Sequence, residues 1–213
     1  MSISIPTVSE EQSAFYEHLG RCIAQWSHVE DGLYELHAIA INRSNEPRTS
    51  NLAAQAGYFA VQTPEGKLNV TGAAVHFRLR EEMSDEPDDP KRRLLGMWWS
   101  LRKRVEKRRT RRNQIAHFQV LNSLNNKPGR RVELRPAIFN PNALLRKVSP
   151  LYCEQLKAIA RSFGRTSFDL GTFAYGLAVQ LNQQGADEHS EHRMQALYAR
   201  IGDRDFPTGG FAQ

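Results

Sequence analysis

Apolar residues recur at alternating steps of four and three along the first part of the chain, which is the spacing of one face of an α-helix. The series is Phe15, Leu19, Cys22, Trp26, Val29, Leu33, Leu36 and Ala40. Ser9 is followed three positions later by Gln12, as in a capping box. The pattern predicts one long amphipathic helix that begins after Ser9 and ends near Asn42.

Two shorter segments follow this helix. A short helix is predicted around residues 51–61. Thr63 and Pro64 then supply the cap and the first turn of another helix, which runs to about Arg80. The acidic segment 84–90 is predicted to be a loop.

The next helix departs from the usual apolar pattern. Asp89 and Pro90 can cap its first turn. Its stripe again advances by four and three but includes two arginines, in the series Leu94, Trp98, Leu101, Val105, Arg108, Arg112 and Ile115. A long arginine stem can cover the edge of a core while its head reaches water, and for Arg108 this explanation stands beside a functional one.

The rest of the chain predicts a hairpin and further helices. The segments FQVL and RVEL flank a turn-rich stretch, which indicates a β-hairpin within 118–139. Helices are predicted from 149 to about 163 and from 169 to 181. The polar segment 183–213 is expected to be a partly disordered tail, with one short helix at 191–201.

These elements predict a mainly α protein, an antiparallel helical bundle with a small β-hairpin after the arginine-containing helix. At 213 residues the chain can bury a sizeable core, and we expect a single domain over 9–182 followed by the tail. No apolar run approaches the roughly 18 residues of a membrane helix, and the first residues lack a signal peptide's features, so a cytoplasmic protein without membrane contact is expected. Cys22 and Cys153 have no ligand spacing, so neither a disulfide nor structural zinc is indicated.

Charge is distributed unevenly along the chain. The formal net charge is +6, but residues 91–147 hold 17 Lys and Arg against 2 Asp and Glu, which leaves 12 basic and 21 acidic residues elsewhere. Within the basic run only Glu106 offers an intrahelical ion pair. This segregation predicts a positive surface for a polyanion, with nucleic acid as the leading partner. The predicted nucleic-acid-binding residues are Arg102, Lys103, Arg104, Lys107, Arg108, Arg109 and Arg111.

Beside this run, Arg112, Asn113 and His117 combine three groups that suit phosphodiester chemistry. The guanidinium can hold a phosphate in bidentate fashion, the carboxamide can orient it, and the imidazole can move a proton near neutral pH. Asn113 and His117 share a helix face, whereas Arg112 and His117 are separated by about 140° around the helix and roughly 7.5 Å along it. Two copies of the helix could bring all three groups to one phosphate.

These residues resemble the HEPN family, the higher eukaryotes and prokaryotes nucleotide-binding domains. Residues 112–117 read RNQIAH, which matches the R-N-x-x-x-H form of the family's motif and the frequent I-A-H ending of bacterial members. The segment WSHVE at 26–30 resembles the W-x-x-x-E pattern found in the first helix of many members. The resemblance covers about residues 9–122.

The resemblance implies a fold and an activity. HEPN domains are small antiparallel helical bundles, usually dimeric, and many are metal-independent ribonucleases. It therefore implies a homodimeric endoribonuclease that cleaves single-stranded RNA, with His117 in proton transfer, Arg112 on the phosphorane charge and Asn113 orienting the phosphate. It implies neither a metal nor another cofactor. A toxin or phage-defence role, with an inhibitory protein partner, would accord with such an activity.

A second class of function stays open on the same residues. In it the chain is a non-catalytic dimeric module that binds nucleic acid or a protein partner through the basic helix, and Arg112, Asn113 and His117 form an interhelical hydrogen-bond cluster. A sequence-specific DNA binder is a weaker hypothesis, because neither a helix-turn-helix nor a basic zipper is evident.

Several other residues admit both a functional and an ordinary explanation. Arg21 and His28 also satisfy the loose Arg-to-His motif, and we interpret that match as chance because it interrupts an apolar heptad. Trp99 could stack a base, although a partly exposed packing residue is the ordinary interpretation. Glu30 and Asp31 could form a metal pair, whereas an exposed helix face or an ion pair to an inward arginine is the simpler explanation.

Overall fold

A computed structural model describes residues 10–42, 52–121, 132–136, 149–181, 185 and 188–201. This part of the chain is mainly helical with one small hairpin, as the sequence predicts. The helices are α1 (Glu10–Ile41), α2 (Leu52–Ala60), α3 (Pro64–Glu82), α4 (Pro90–His117), α5 (Cys153–Gln180) and α6 (Glu188–Ile201), and the strands are β1 (Phe118–Leu121) and β2 (Glu133–Pro136).

The chain divides into two compact units. The first comprises Met1–Ser27 and Thr110–Gly164, and the second comprises His28–Arg109 and Arg165–Gln213. Helices α1, α4 and α5 each contribute a segment to both units. The single domain predicted over 9–182 stays a prediction.

In the first unit, α1 packs on α5 through buried apolar side chains. Trp26 and Phe163 meet edge to face, with ring centroids 5.2 Å apart. Cys22 is buried, and its thiol donates a hydrogen bond to the carbonyl of Leu156 at 3.1 Å. Burial raises the pKa of this thiol to about 11. Its burial makes Cys22 a core residue, as predicted. A thiol with so high a pKa does not act as a thiolate nucleophile at neutral pH.

The predicted hairpin is confirmed in the same unit, with a later second strand. β1 and β2 pair antiparallel with Phe118 opposite Pro136. Leu134 is buried and exchanges two backbone hydrogen bonds with Leu151, each of 2.9 Å. β2 thus begins at Glu133, two residues after the start of the predicted RVEL segment. Residues 122–131, which include the turn-rich stretch, lie outside the described part of the chain.

The core of the second unit centres on Trp98 and Phe173. Both side chains are fully buried, and their rings stack with centroids 5.9 Å apart. Gly32 of α1 allows close approach of α5, because a Cβ added there would lie 3.0 Å from the Cβ of Leu170. The prediction that Trp98 lies in the core while Trp99 is partly exposed is confirmed.

One helix replaces the two that the sequence predicts between 149 and 181. α5 is continuous through Gly164, where the predicted helices are separated. A Cβ at position 164 would lie 2.8 Å from the Oε1 of Gln25, so this glycine makes room for a neighbouring side chain inside a helix. The helix also begins at Cys153 and not at 149, because Leu151 is held in a β-bridge.

Helix α6 lies within the predicted polar tail and is longer than the helix expected at 191–201. It begins at Glu188, and its apolar residues Met194 and Leu197 are buried. This segment is therefore part of the second unit's packing. The predicted cap Ser9 and the terminal segment 202–213, where disorder was expected, lie outside the described residues.

Candidate nucleic-acid interface

The start of α4 is fixed by the side chain of Asp89. One carboxylate oxygen accepts a hydrogen bond from the backbone N–H of Lys91 at 2.7 Å, and the other accepts from the backbone N–H of Ser84 at 2.6 Å. These hydrogen bonds, that from Ser84 first, lower the pKa of the Asp89 carboxyl. The predicted cap is confirmed, and it determines where the basic helix begins.

Two arginines of the predicted nucleic-acid-binding run form ion pairs inside the second unit. Arg104 lies 3.4 Å from the Oδ2 of Asp169, whose side chain is only 7% exposed, and also donates to the carbonyl of Arg200. Arg109 pairs with Glu65 of α3 at 2.6 Å. Acidic residues of the fold therefore relieve part of the repulsion along α4.

Two further arginines of the run rest against neighbouring side chains. Arg102 donates to the Oδ1 of Asn69 at 3.1 Å, and its guanidinium lies 5.3 Å from the centre of the Trp99 ring, the ring predicted as a possible base-stacking surface. Arg108 is half-buried and donates to the carbonyl of Arg104 at 3.2 Å. Burial lowers the pKa of Arg108, and the charge of Arg104 lowers it further. The half-burial of Arg108 accords with a stem at the edge of the core, whereas its guanidinium turns to a carbonyl of its own helix and not to water.

The remaining cations of the run are exposed. Lys103 and Lys107 lie one turn apart on the same face of α4 in the second unit, about 6 Å from each other along the axis. No carboxylate in the described part of the chain forms an ion pair with this exposed lysine pair. Arg111, in the first unit, is also exposed and donates to the Oε1 of Gln114 at 2.9 Å. These three side chains are the ones most available to a phosphate.

The three motif residues lie in the last two turns of α4, in the first unit, directly before β1. Asn113 and His117 are exposed, and Arg112 is half-buried. The Nη1 of Arg112 donates to the Oδ1 of Asn113 at 3.4 Å, which is beyond the usual length of a strong hydrogen bond. Among the described residues no hydrogen bond joins His117 to Arg112. The structure therefore brings Arg112 to Asn113 and leaves the imidazole apart, as the angular separation predicts.

This arrangement can receive a phosphate from solvent. Because the Asn113 oxygen accepts from Arg112, its amide nitrogen keeps two N–H groups for an incoming acceptor. The imidazole of His117 can donate or accept a proton at the same helix face. The end of α4 thus presents an orienting amide and a proton-transfer group together, with a guanidinium beside them.

Sequence reasoning missed the surroundings of Asp169. Besides Arg104, Arg200 of α6 lies 2.8 Å from its Oδ1. Burial raises the pKa of the Asp169 carboxyl, and Arg200, Arg104, Arg108 and Arg165 oppose this effect through their charges. One carboxylate therefore forms ion pairs with two guanidinium groups, and the charges of two more act on it. No spacing rule could reveal this cluster, because its members come from three helices that are distant in sequence.

The other candidate residues have structural partners. Glu30 forms an ion pair with Lys67 of α3 at 2.6 Å. The sequence had suggested an arginine or a metal ion as a partner for this carboxylate. Among the residues whose placement is described, no three His, Cys, Asp or Glu side chains are grouped so as to hold a metal ion. Arg21, the first residue of the second match to the loose motif, pairs with Glu17 one turn earlier.

Comparison with known proteins adds no assignment to these residues. Neither a protein-family model, nor a curated protein, nor a solved structure matches the chain significantly. Within the described ranges, no helix is both long and apolar enough to cross a bilayer. The chemistry and geometry of α4 are therefore the features that bear on function.

Proposed function

We propose that the protein is a metal-independent endoribonuclease of the HEPN type, with Arg112, Asn113 and His117 at its active site. One observation carries the proposal: the last two turns of α4 present an exposed amide and an exposed imidazole on one face, with the guanidinium of Arg112 against the amide. A phosphate on this face would meet an orienting amide and a proton-transfer imidazole.

The chemistry requires only these three groups, because RNA carries its own nucleophile. The 2′-oxygen attacks phosphorus and the bond to the 5′-oxygen breaks, which yields a 2′,3′-cyclic phosphate and a 5′-hydroxyl. His117 removes the 2′-hydroxyl proton as base and then delivers a proton to the leaving 5′-oxygen as acid. Arg112 stabilises the dianionic phosphorane, and Asn113 orients the phosphate.

The active site is shared between two copies of the chain in this proposal. Arg112 and His117 are separated by about 140° around α4, so one helix does not direct both side chains at the same phosphate. A symmetric dimer would place the Arg112 of one copy beside the Asn113 and His117 of the other. The catalytic hypothesis therefore requires a dimer.

The exposed lysine pair and Arg111 support single-stranded RNA as the substrate. Their charges have no carboxylate partner among the described residues, so they remain available to phosphates. Arg104 and Arg109 already form ion pairs within the fold. We assign most of the phosphate contacts to Lys103, Lys107 and Arg111.

A non-catalytic binding module is the second candidate. It is favoured by the use of α4 side chains within the fold: Arg104 and Arg109 hold carboxylates, and Arg112 holds Asn113. In that case the motif residues would stabilise helix contacts, and the chain would bind RNA or a protein partner without cleaving it.

Mixing two inactive variants tests the shared active site. Arg112→Ala protein and His117→Ala protein are each inactive in the proposal, but a mixed dimer contains one site with both groups intact. Random exchange should restore about a quarter of the wild-type cleavage rate, because half of the dimers are mixed and each has one working site. The assay contains EDTA, and the products are examined for 2′,3′-cyclic phosphate ends.

Sedimentation at micromolar concentration provides the companion measurement. A dimer together with restored activity supports the shared site. If both single variants are inactive and their mixture stays inactive although the dimers exchange, the site lies within one chain or requires both His117 residues. A chain that is only monomeric contradicts the shared site directly.

A further inference from the structure

A cleft of about 200 Å³ lies between α5 and α6 in the second unit, outside the motif helix. Its lining comprises Phe168, Gly171, Thr172 and Tyr175 of α5 and Arg193 of α6. An aromatic wall beside a cationic side chain is the combination that recognises a flat, negatively charged ligand. The volume suits one ring system, so the sugar and phosphate of a nucleotide would lie outside the cleft.

The aromatic wall is Phe168, which is 50% exposed although it sits on the same helix as the buried core residue Phe173. The guanidinium carbons of Arg193 and Arg200 lie 5.9 and 5.8 Å from the centre of its ring. Both groups lie over the ring, and the part of Phe168 that stays exposed can stack a nucleobase, since every base has a π-face. Two cations within reach of that ring could hold a phosphate attached to the same ligand.

The guanidinium groups beside the cleft outnumber the described carboxylates that form ion pairs with them. Arg200 contacts Asp169 at 2.8 Å, and Arg104 contacts the same carboxylate. Arg193 forms no ion pair with a described carboxylate, and Arg165 adds a further charge near Asp169. Two guanidinium groups thus share one buried carboxylate, and Arg193 adds a cation with no ion pair among the described residues, which favours an anionic ligand.

We propose that this cleft binds a single nucleotide, with its base against Phe168 and its phosphate on Arg193 and Arg200. The ligand is either a free mononucleotide or one nucleotide of an RNA strand, since both present the same base and phosphate. Asp169 holds Arg200 in place, whereas Arg193 is the freer of the two cations. The site does not depend on whether Arg112 and His117 cleave RNA.

A larger side chain at position 171 would fill the cleft without a clash at its Cβ. A Cβ added at this position meets no atom within 4 Å, and the residue lines the cleft. A Gly171→Leu side chain would occupy the ligand's space. Because leucine also favours a helix over glycine, the variant is not expected to unfold α5.

The test measures binding by equilibrium dialysis with two probes. The first probe is a nucleoside monophosphate, and each of the four bases is tested in turn. The second probe is a short 2′-O-methylated RNA, which cannot be cleaved by 2′-hydroxyl attack. Gly171→Leu should weaken binding at least about tenfold and Arg193→Gln several-fold, since it removes a phosphate contact. Phe168→Leu should weaken binding while Phe168→Tyr retains it. Arg92→Gln, which removes a charge from outside the lining, is the matched control.

The two probes separate the two sources of the ligand. Saturable binding of a mononucleotide that Gly171→Leu abolishes identifies a free nucleotide. Loss of RNA affinity alone identifies a nucleotide within a strand. The proposal is overturned if neither probe binds the wild-type protein, or if binding is the same in folded Gly171→Leu protein. Because binding is measured without cleavage, failure of the ribonuclease proposal leaves this result unaffected.

Discussion

The guanidinium of Arg104 lies 3.4 Å from the carboxylate of Asp169, and this ion pair joins the basic helix α4 to α5 within the second unit. Asp169 is almost completely buried, whereas Arg104 is about one-third exposed. An arginine that the sequence assigns to nucleic-acid binding therefore also neutralises a buried charge. Removing it would leave the carboxylate with fewer partners in a poorly solvated position.

Arg104→Gln should accordingly lower the free energy of unfolding. We expect a loss of about 1–3 kcal/mol, less than for a fully buried pair, because Arg104 is partly solvated and Arg200 still contacts Asp169. Lys103→Gln, the matched change one residue earlier, should alter stability by less than about 0.5 kcal/mol since Lys103 is exposed. Urea unfolding of both variants measures the difference, and equal losses would contradict the structural role of Arg104.

Removal of the exposed lysine pair should change how RNA binding depends on salt. Each phosphate contact to a single strand contributes about 0.7 to the slope of log affinity against log salt, so Lys103→Gln with Lys107→Gln should reduce the slope by about 1.4. Filter binding over a range of salt concentrations provides the measurement. Arg109→Gln, which removes a cation already paired with Glu65, is the control and should change the slope less. An unchanged slope in the double variant would indicate that the lysine pair does not contact RNA.

Local patterns predicted most of the fold because the relevant forces act over a few residues. The apolar spacing identified α1, and the caps Thr63 and Asp89 located the starts of α3 and α4. The division of α5 into two helices was wrong, because the helix continues through Gly164. Its actual role is to accommodate Gln25, and that contact joins residues far apart in the sequence.

Acid should destabilise the protein through two histidines. Burial lowers the pKa of His37 and of His76, and the charge of Arg80 lowers that of His76 further. The unfolded chain therefore binds more protons below about pH 6.5, and stability falls as the pH decreases from that value towards the lowered folded pKa values. Asp169 has the opposite effect on stability. Because its pKa is raised in the folded protein, it stabilises the folded state more as the pH falls.

Unfolding curves at several pH values between about 5 and 7.5 test this dependence. His37→Phe keeps a ring beside Tyr58, whose centroid lies 5.4 Å from that of His37, and should flatten the acid side of the stability profile. His28→Gln, a change at an exposed histidine of α1, is the control for substitution of a histidine in this helix. A wild-type profile that is flat over this range would contradict the prediction.

Two glycines of α1 should respond differently to the same substitution. Gly32→Val should destabilise the protein by about 1–3 kcal/mol, because a Cβ there would lie only 3.0 Å from the Cβ of buried Leu170. Gly20→Val should be close to neutral, since a Cβ at position 20 has no atom within 4 Å. Thermal or urea unfolding compares the two variants. Equal effects would show that α1 and α5 can separate enough to accept the added methyl groups.

The site was predictable only in part. The order Arg112, Asn113, His117 fixes which side chains share a helix face, whereas the contact between Arg112 and Asn113 was not predicted, because neighbouring residues of a helix point about 100° apart. The partners of the basic run did not follow, because ion pairs such as that of Arg109 with Glu65 join separate helices. A charge run in a sequence shows where cations are concentrated, but not which of them the fold already neutralises.

Cleavage of a mixed RNA pool in EDTA tests the central claim most directly. Wild-type protein should cleave the RNA, and Arg112→Ala and His117→Ala should each reduce the rate by about 100-fold or more, since both groups act in the transition state. The double variant should be little slower than either single variant, because residues that act as a unit are not additive. Arg21→Ala, at the second motif match, should cleave as the wild type does. Wild-type protein that binds RNA but leaves it uncut across about pH 5–8, or cleavage that persists in both variants, would contradict the ribonuclease proposal.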